Sequence, residues 1–130
     1  MTPDSSGSTD ESCPLPIDER FDLLSSHYRR YTLYSLAHTT LPVSLPRVAD
    51  VVTELLYDAP ADELGERRLA VYTELYHNHV PRLADAAVVT YDQEDDMMGL
   101  GPNLSHMEPL LEYALDQEFP RGIETALHEY

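Results

Sequence analysis

Apolar residues recur along this chain at two different spacings, and the change from one to the other marks its parts. Ile17, Phe21 and Leu24 fall at i, i+4 and i+7, one face of a helix, with Asp18 and Glu19 suited to its first turn. Ser25 and Ser26 offer a cap for a second helix through about His38, whose apolar side carries Tyr28, Tyr31, Leu33, Tyr34, Leu36 and Ala37. The stretch "TTLPVS" breaks it. Ser44 then reads as an N-cap, with Pro46 in a first turn where its missing N–H costs little. Leu45, Val48, Ala49, Val52, Leu55 and Leu56 keep helical spacing up to the turn-rich "YDAPADELGE".

A longer period follows. Leu69, Tyr72, Tyr76, Val80, Leu83 and Ala87 fit one apolar stripe on a helix over about residues 66–86. Pro81 lies inside it, and its missing N–H and crowding ring predict either a kink or simple tolerance at a solvent face. At "VVTYDQEDDMMGLGP" the spacing shortens to strand, acidic turn and strand, a β-hairpin. Leu104, Met107, Leu111 and Ala114 restore helical spacing. That helix starts either with a capping box of Ser105 and Glu108 or with Glu108 capping a first residue Pro109. "FPRG" ends it, and "IETALHEY" has room for one or two helical turns.

Helix, helix, short helix, long helix, hairpin, helix is the layout of a winged helix–turn–helix with an added C-terminal helix, mainly α with a small β-hairpin wing. The expected organisation is a tail over 1–15 without hydrophobic period and expected to be disordered, a winged domain over 16–102, a C-terminal helix over 103–119, and a short acidic tail over 120–130.

The residues also resemble a known group. "FDLLSSHYRRYTLYSL", "PVSLPRVADVV" and "ERRLAVYTELYHNHVPRLADAAVVTYD" are similar to a family of small haloarchaeal winged-helix proteins of unassigned function. The resemblance spans roughly residues 17–115 and is most specific from Leu75 to Asp92. More loosely, the chain is similar to winged-helix repressors of the arsenical-resistance type, although Ala87 stands where their exit into the wing usually carries glycine. The resemblance implies a fold and a salt-loving host, and no biochemical activity.

Charge sharpens that picture. The 130 residues carry 24 acids against 8 basic residues, a formal net charge of −16, and every basic residue is arginine. Such self-repulsion suits a protein working in molar salt, where the Debye length is about 3 Å, or else one that binds a cationic partner. The acid sits in the flanks, whereas residues 17–91 hold seven arginines against eleven acids. The single cysteine, Cys13, rules out an intramolecular disulfide framework and fits a reducing cytoplasm. No apolar run nears the roughly 20 residues of a membrane span, and no signal peptide opens the chain, so a cytoplasmic location is expected.

Candidate chemistry narrows quickly. His77 and His79 suggest a metal pair, but residues i and i+2 of a helix point to opposite sides, and His27, His38, His106 and His128 are scattered. No metal and no cofactor is expected. His79 flanks the apolar stripe and reads as a hydrogen-bonded, half-buried histidine. No Gly-rich phosphate loop, nucleophile elbow or Cys-x-x-Cys is present, so an enzyme is not expected.

On the side of the long helix opposite its stripe, Arg67, Glu74, Asn78 and, more to the side, Arg82 form a polar face that in a winged helix would meet a DNA major groove. Arginine pairs with guanine and asparagine with adenine, which makes Arg67, Asn78 and Arg82 candidate base readers and Arg47 and Arg68 candidate phosphate anchors. Arg29 and Arg30 are further candidates for phosphate. Glu74 and the wing tip "DQEDD" oppose this assignment. The expectation is therefore a homodimeric DNA-binding transcriptional regulator, its alternative an interaction module that meets another protein through the acidic wing. The C-terminal helix either mediates the dimer or packs on its own domain.

Overall fold

The computed structural model describes residues 15–127, so the expectations for the N-terminal tail, Cys13 and His128 lie outside the described residues. Helices α1 (Ile17–Leu24) and α2 (His27–Ala37) come first, as predicted. Ile17 and Phe21, placed by the spacing on the apolar face of α1, are however exposed, and Leu23 and Leu24 are the buried pair. A two-residue strand β1 (Val43–Ser44), which the sequence pattern did not suggest, leads directly into α3 (Leu45–Tyr57). Ser44 caps α3, its Oγ accepting from the Arg47 N–H at 3.3 Å. A 3₁₀ turn (Ala61–Glu63) connects to the long helix. The buried carboxylate of Glu54 pins this turn by accepting from the Ala61 N–H at 3.2 Å.

The long helix is not one regular α-helix. It runs as α4 (Gly65–Glu74), a π turn (Leu75–His79) and α5 (Val80–Asp85). The Val80 N–H bonds to the Leu75 carbonyl, five residues back, so one extra residue is accommodated just before Pro81. The expected disturbance at Pro81 takes this form, and it re-phases the helix. Val71, Leu75, Val80 and Leu83 are all buried, whereas Leu69, placed by the sequence pattern in the apolar stripe, is 66% exposed. Tyr72 and Tyr76 lie half-buried on the flank.

The helix leaves through a Schellman turn, with Val88 N–H to Leu83 O at 3.0 Å and Ala87 N–H to Ala84 O at 2.9 Å. Ala87 holds φ +59 there, the left-handed conformation that glycine usually takes. Strands β2 (Val89–Asp92) and β3 (Met97–Leu100) form the hairpin. β1 adds to β3, giving an antiparallel sheet of order β1-β3-β2, with Val43 opposite Met98 and Tyr91 opposite Met98 on the other side.

Helix α6 (Leu104–Glu118) follows. Neither expected cap is used. Asn103 precedes the helix, its side chain donating to the Ala86 carbonyl at 2.9 Å, and Pro109 lies within the helix. The helix packs on its own domain, burying Met107 and Leu111, and the single-turn α7 (Ile123–Ala126) returns the fully buried Ile123 to the core. Among the described residues, no helix is long and apolar enough to cross a membrane. The architecture is mainly helical with a small sheet, a winged helix–turn–helix carrying an added C-terminal helix.

Candidate nucleic-acid interface

In this fold the helix before the hairpin and the hairpin itself form the outer face, and α3 lies behind them. The π turn decides which side of the long helix points outward. With Val71 and Leu75 facing the core, residues 66, 69, 70, 73 and 77 form the outward ridge, and Glu66, Leu69, Ala70, Thr73 and His77 are all exposed. Small and apolar side chains occupy its middle.

The polar residues expected on that ridge lie elsewhere. Arg67 places its guanidinium 4.8 Å from the centre of the Tyr57 ring, a cation–π contact at the C-terminal end of α3. Glu74 accepts from Asn78 Nδ2 at 3.0 Å and faces His79 Nε2 at 3.4 Å, toward α2. Asn78 is thus exposed but engaged by a carboxylate on its own helix.

Arg82 is separated from the rest. It pairs with Asp22 and, at 3.3 Å, with Glu19, both on α1. It lies in α5, at the C-terminal end of the long helix, beside α1 and away from Arg47, Arg67 and Arg68. Arg68 forms a two-bond pair with Asp50 of α3. Arg47, one turn before Asp50, is exposed, and its side chain makes no hydrogen bond or ion pair among the described residues. Arg67 thus lies at the C-terminal end of α3, whereas Arg47 and Arg68 lie along its N-terminal half. A shallow groove of about 300 Å³ separates α3 and α4 there, lined by Pro46, Ala49, Gly65, Arg68, Leu69 and Tyr72.

Arg29 and Arg30 face inward. Arg29 donates to the carbonyls of Leu23 and Asp22 and, at 3.2 Å, to His79 Nδ1. Because arginine only donates, His79 carries its proton on Nε2, toward Glu74. Its ring stacks on Tyr28 with centroids 5.0 Å apart. Burial and the adjacent Arg29 cation lower the His79 pKa below its ordinary value, against the pull of Glu74. His77 is exposed while His79 is half-buried, so the two rings do point apart. Among the described residues, no group of three His, Cys, Asp or Glu side chains could hold a metal ion.

The wing is tied back onto the long helix. Tyr72 donates to Asp96 Oδ2 at 2.8 Å, Tyr91 donates to the other oxygen of the same carboxylate, and Gln93 Nε2 donates to the Tyr76 hydroxyl at 2.8 Å. Asp92, Glu94 and Asp95 remain exposed at the tip. Of the residues on the outward ridge, sequence reasoning missed Glu66, Ala70, Thr73 and His77 and assigned Leu69 to the apolar stripe. The signal lay in Val71 and Leu75, which keep one helical phase with each other and lose it with Val80 and Leu83.

A winged helix–turn–helix with a small-residue ridge and few free cations is the class that fold and surface define. The chain belongs to the family described as a domain of unknown function, DUF7344, whose model matches residues 21–99. The match runs from α1 to the last strand of the wing and stops before α6. Comparisons with curated proteins and with solved structures gave no match.

Proposed function

We propose that this protein is a DNA-binding transcriptional regulator that meets duplex DNA with the outward ridge of its long helix. One observation carries the reading: the rest of the chain leaves Leu69, Ala70, Thr73 and His77 uncovered beside the hairpin, where a winged helix presents its recognition surface. Arg47 and Arg67 flank the ridge free of carboxylate partners, whereas Arg68 is held by two bonds to Asp50 of α3. Arg82 has no part in this contact. Asn78 reads a base only by leaving Glu74.

The acidic composition supports a working environment of molar salt, where repulsion between the wing tip and phosphates is screened within about 3 Å. Two copies pair through α1 and α6, whose exposed Ile17, Phe21 and Tyr113 leave apolar surface uncovered. A monomer mass by light scattering in molar KCl ends that part of the proposal.

A second reading draws on the exposed carboxylates of Asp92, Glu94 and Asp95: the wing binds a cationic protein surface and DNA is not involved. Fluorescence anisotropy with labelled duplex in molar KCl separates the two. Binding that weakens in Arg47→Ala and Arg67→Ala supports the regulator. No binding to the gene's own upstream region or to random duplex rejects it in favour of the interaction module.

A further inference from the structure

The middle of the outward ridge holds no free hydrogen-bonding head group of the kind that reads base edges. Leu69 is 66% exposed, although an isolated leucine in so polar a chain gains nothing from water. Ala70 follows it directly and Thr73 stands one turn along, both exposed on the same ridge. Leu69 and Ala70 end in methyl groups, and Thr73 presents a methyl beside a hydroxyl that donates to the Leu69 carbonyl at 2.9 Å. In the major groove one base feature answers a methyl group, the C5-methyl of thymine, which makes apolar contacts with alanine, threonine and similar side chains.

The cations lie at the edge of this strip. Arg47 is exposed at the start of α3, and Arg67 lies over Tyr57 at the other end of that helix. Two guanidinium groups flanking an apolar strip match a duplex, with phosphates at the rim and base edges in the groove. The same arrangement lacks the free central arginine that a guanine-directed surface uses. Arg68 is held by Asp50, and Arg82 is held on α1 by Glu19 and Asp22.

We infer that the ridge formed by Leu69, Ala70 and Thr73 selects A·T-rich duplex by packing against thymine methyl groups. The inference rests on the DNA-binding reading above and adds its specificity. It is also compatible with the wing's acid, because discrimination by apolar contact does not need a strong electrostatic field.

The test uses the whole chain in molar KCl and three duplexes of about two helical turns. One is alternating A·T, the second is the same duplex with deoxyuridine replacing every thymidine, and the third contains only G·C pairs. Replacing thymine by uracil removes the methyl and keeps every hydrogen-bonding group. Each methyl lost from contact is expected to weaken binding about fourfold, so a site using two loses at least about tenfold. Leu69→Ala and Thr73→Ser should each shrink the ratio between the thymine and uracil duplexes. Glu124→Gln, an exposed change on α7, should leave that ratio unaltered.

Equal binding to the thymine and uracil duplexes overturns the inference and leaves the DNA-binding reading standing. Preference for G·C duplex overturns it as well. No binding to any of the three, in a sample with native circular dichroism, overturns both.

Discussion

The amide of Val80 bonds to the carbonyl of Leu75, five residues earlier in the chain. That single π turn keeps both side chains in the core and rotates the helix before it, so Leu69 faces outward. A π turn is an α-helix with one residue too many, and removing an exposed residue from it should restore regular spacing. Deleting His77 brings Val80 four residues after Leu75, and the variant should fold with stability within about 1 kcal/mol of the parent by urea denaturation. A loss of several kcal/mol would show that the turn itself, and not merely the phase it sets, is needed.

Glu118 anchors the C-terminal helix. It receives two bonds from Arg30, each 2.8 Å, and one from the Tyr34 hydroxyl at 2.7 Å, while Phe119 packs edge-on against Tyr31 and Tyr34. Burial alone would raise the Glu118 pKa. The bonds from Arg30 and Tyr34, with the Arg30 charge, outweigh burial and hold it below its ordinary value. The stabilisation is therefore fully present above the unfolded carboxylate pKa and is lost as pH falls through the lower folded value. Glu118→Gln should cost about 2 kcal/mol at neutral pH and flatten the acid limb of a stability–pH curve.

Ala87 and Gly101 meet at the exit into the wing. Ala87 holds a left-handed backbone at φ +59, which costs an L-residue with a Cβ roughly 1–2 kcal/mol. Ala87→Gly should raise stability by about 1 kcal/mol in thermal denaturation. Gly101 is constrained in the opposite sense, because a Cβ there would lie 2.3 Å from the Ala87 carbonyl oxygen. Gly101→Ala should destabilise by more than Ala87→Gly stabilises.

Tyr72 ties the wing to the long helix through Asp96. The hydrogen bond to that carboxylate, followed by burial and the carboxylate's charge, pushes the Tyr72 hydroxyl up to about 12. A folded pKa above the unfolded one means that this stabilisation is complete below about pH 10 and disappears as pH rises toward about 12. Tyr72→Phe should cost about 1 kcal/mol at neutral pH and remove this part of the alkaline loss, followed by circular dichroism.

The order of helices and hairpin was legible because each element buries one face and repeats its apolar residues accordingly. Ser44 as a cap, Pro46 in a first turn and the shift to strand spacing at "AAVV" all carry local signals that the fold uses. β1 carried none: two residues form no period, and their pairing with Met97 and Met98 is set by the distant hairpin. The outward ridge was misread for a related reason. Uniform 3.6-residue spacing joins Val80 and Leu83 to Tyr72 and Tyr76, whereas the π turn joins them to Val71 and Leu75. The fates of Arg68 and Arg82 depend on Asp50, Glu19 and Asp22, which lie far from them in sequence. Spacing along one helix contains no information about such pairs.

The central claim is that the outward ridge of the long helix meets duplex DNA, and NMR amide-shift mapping in molar KCl tests it most directly. On addition of an A·T-rich duplex, the largest changes should fall on Leu69, Ala70, Thr73 and His77, with Arg47 and Arg67 at the edge and α6 unaffected. Changes confined to α6 or to the wing tip at Glu94 and Asp95, or none at saturating duplex, would contradict it.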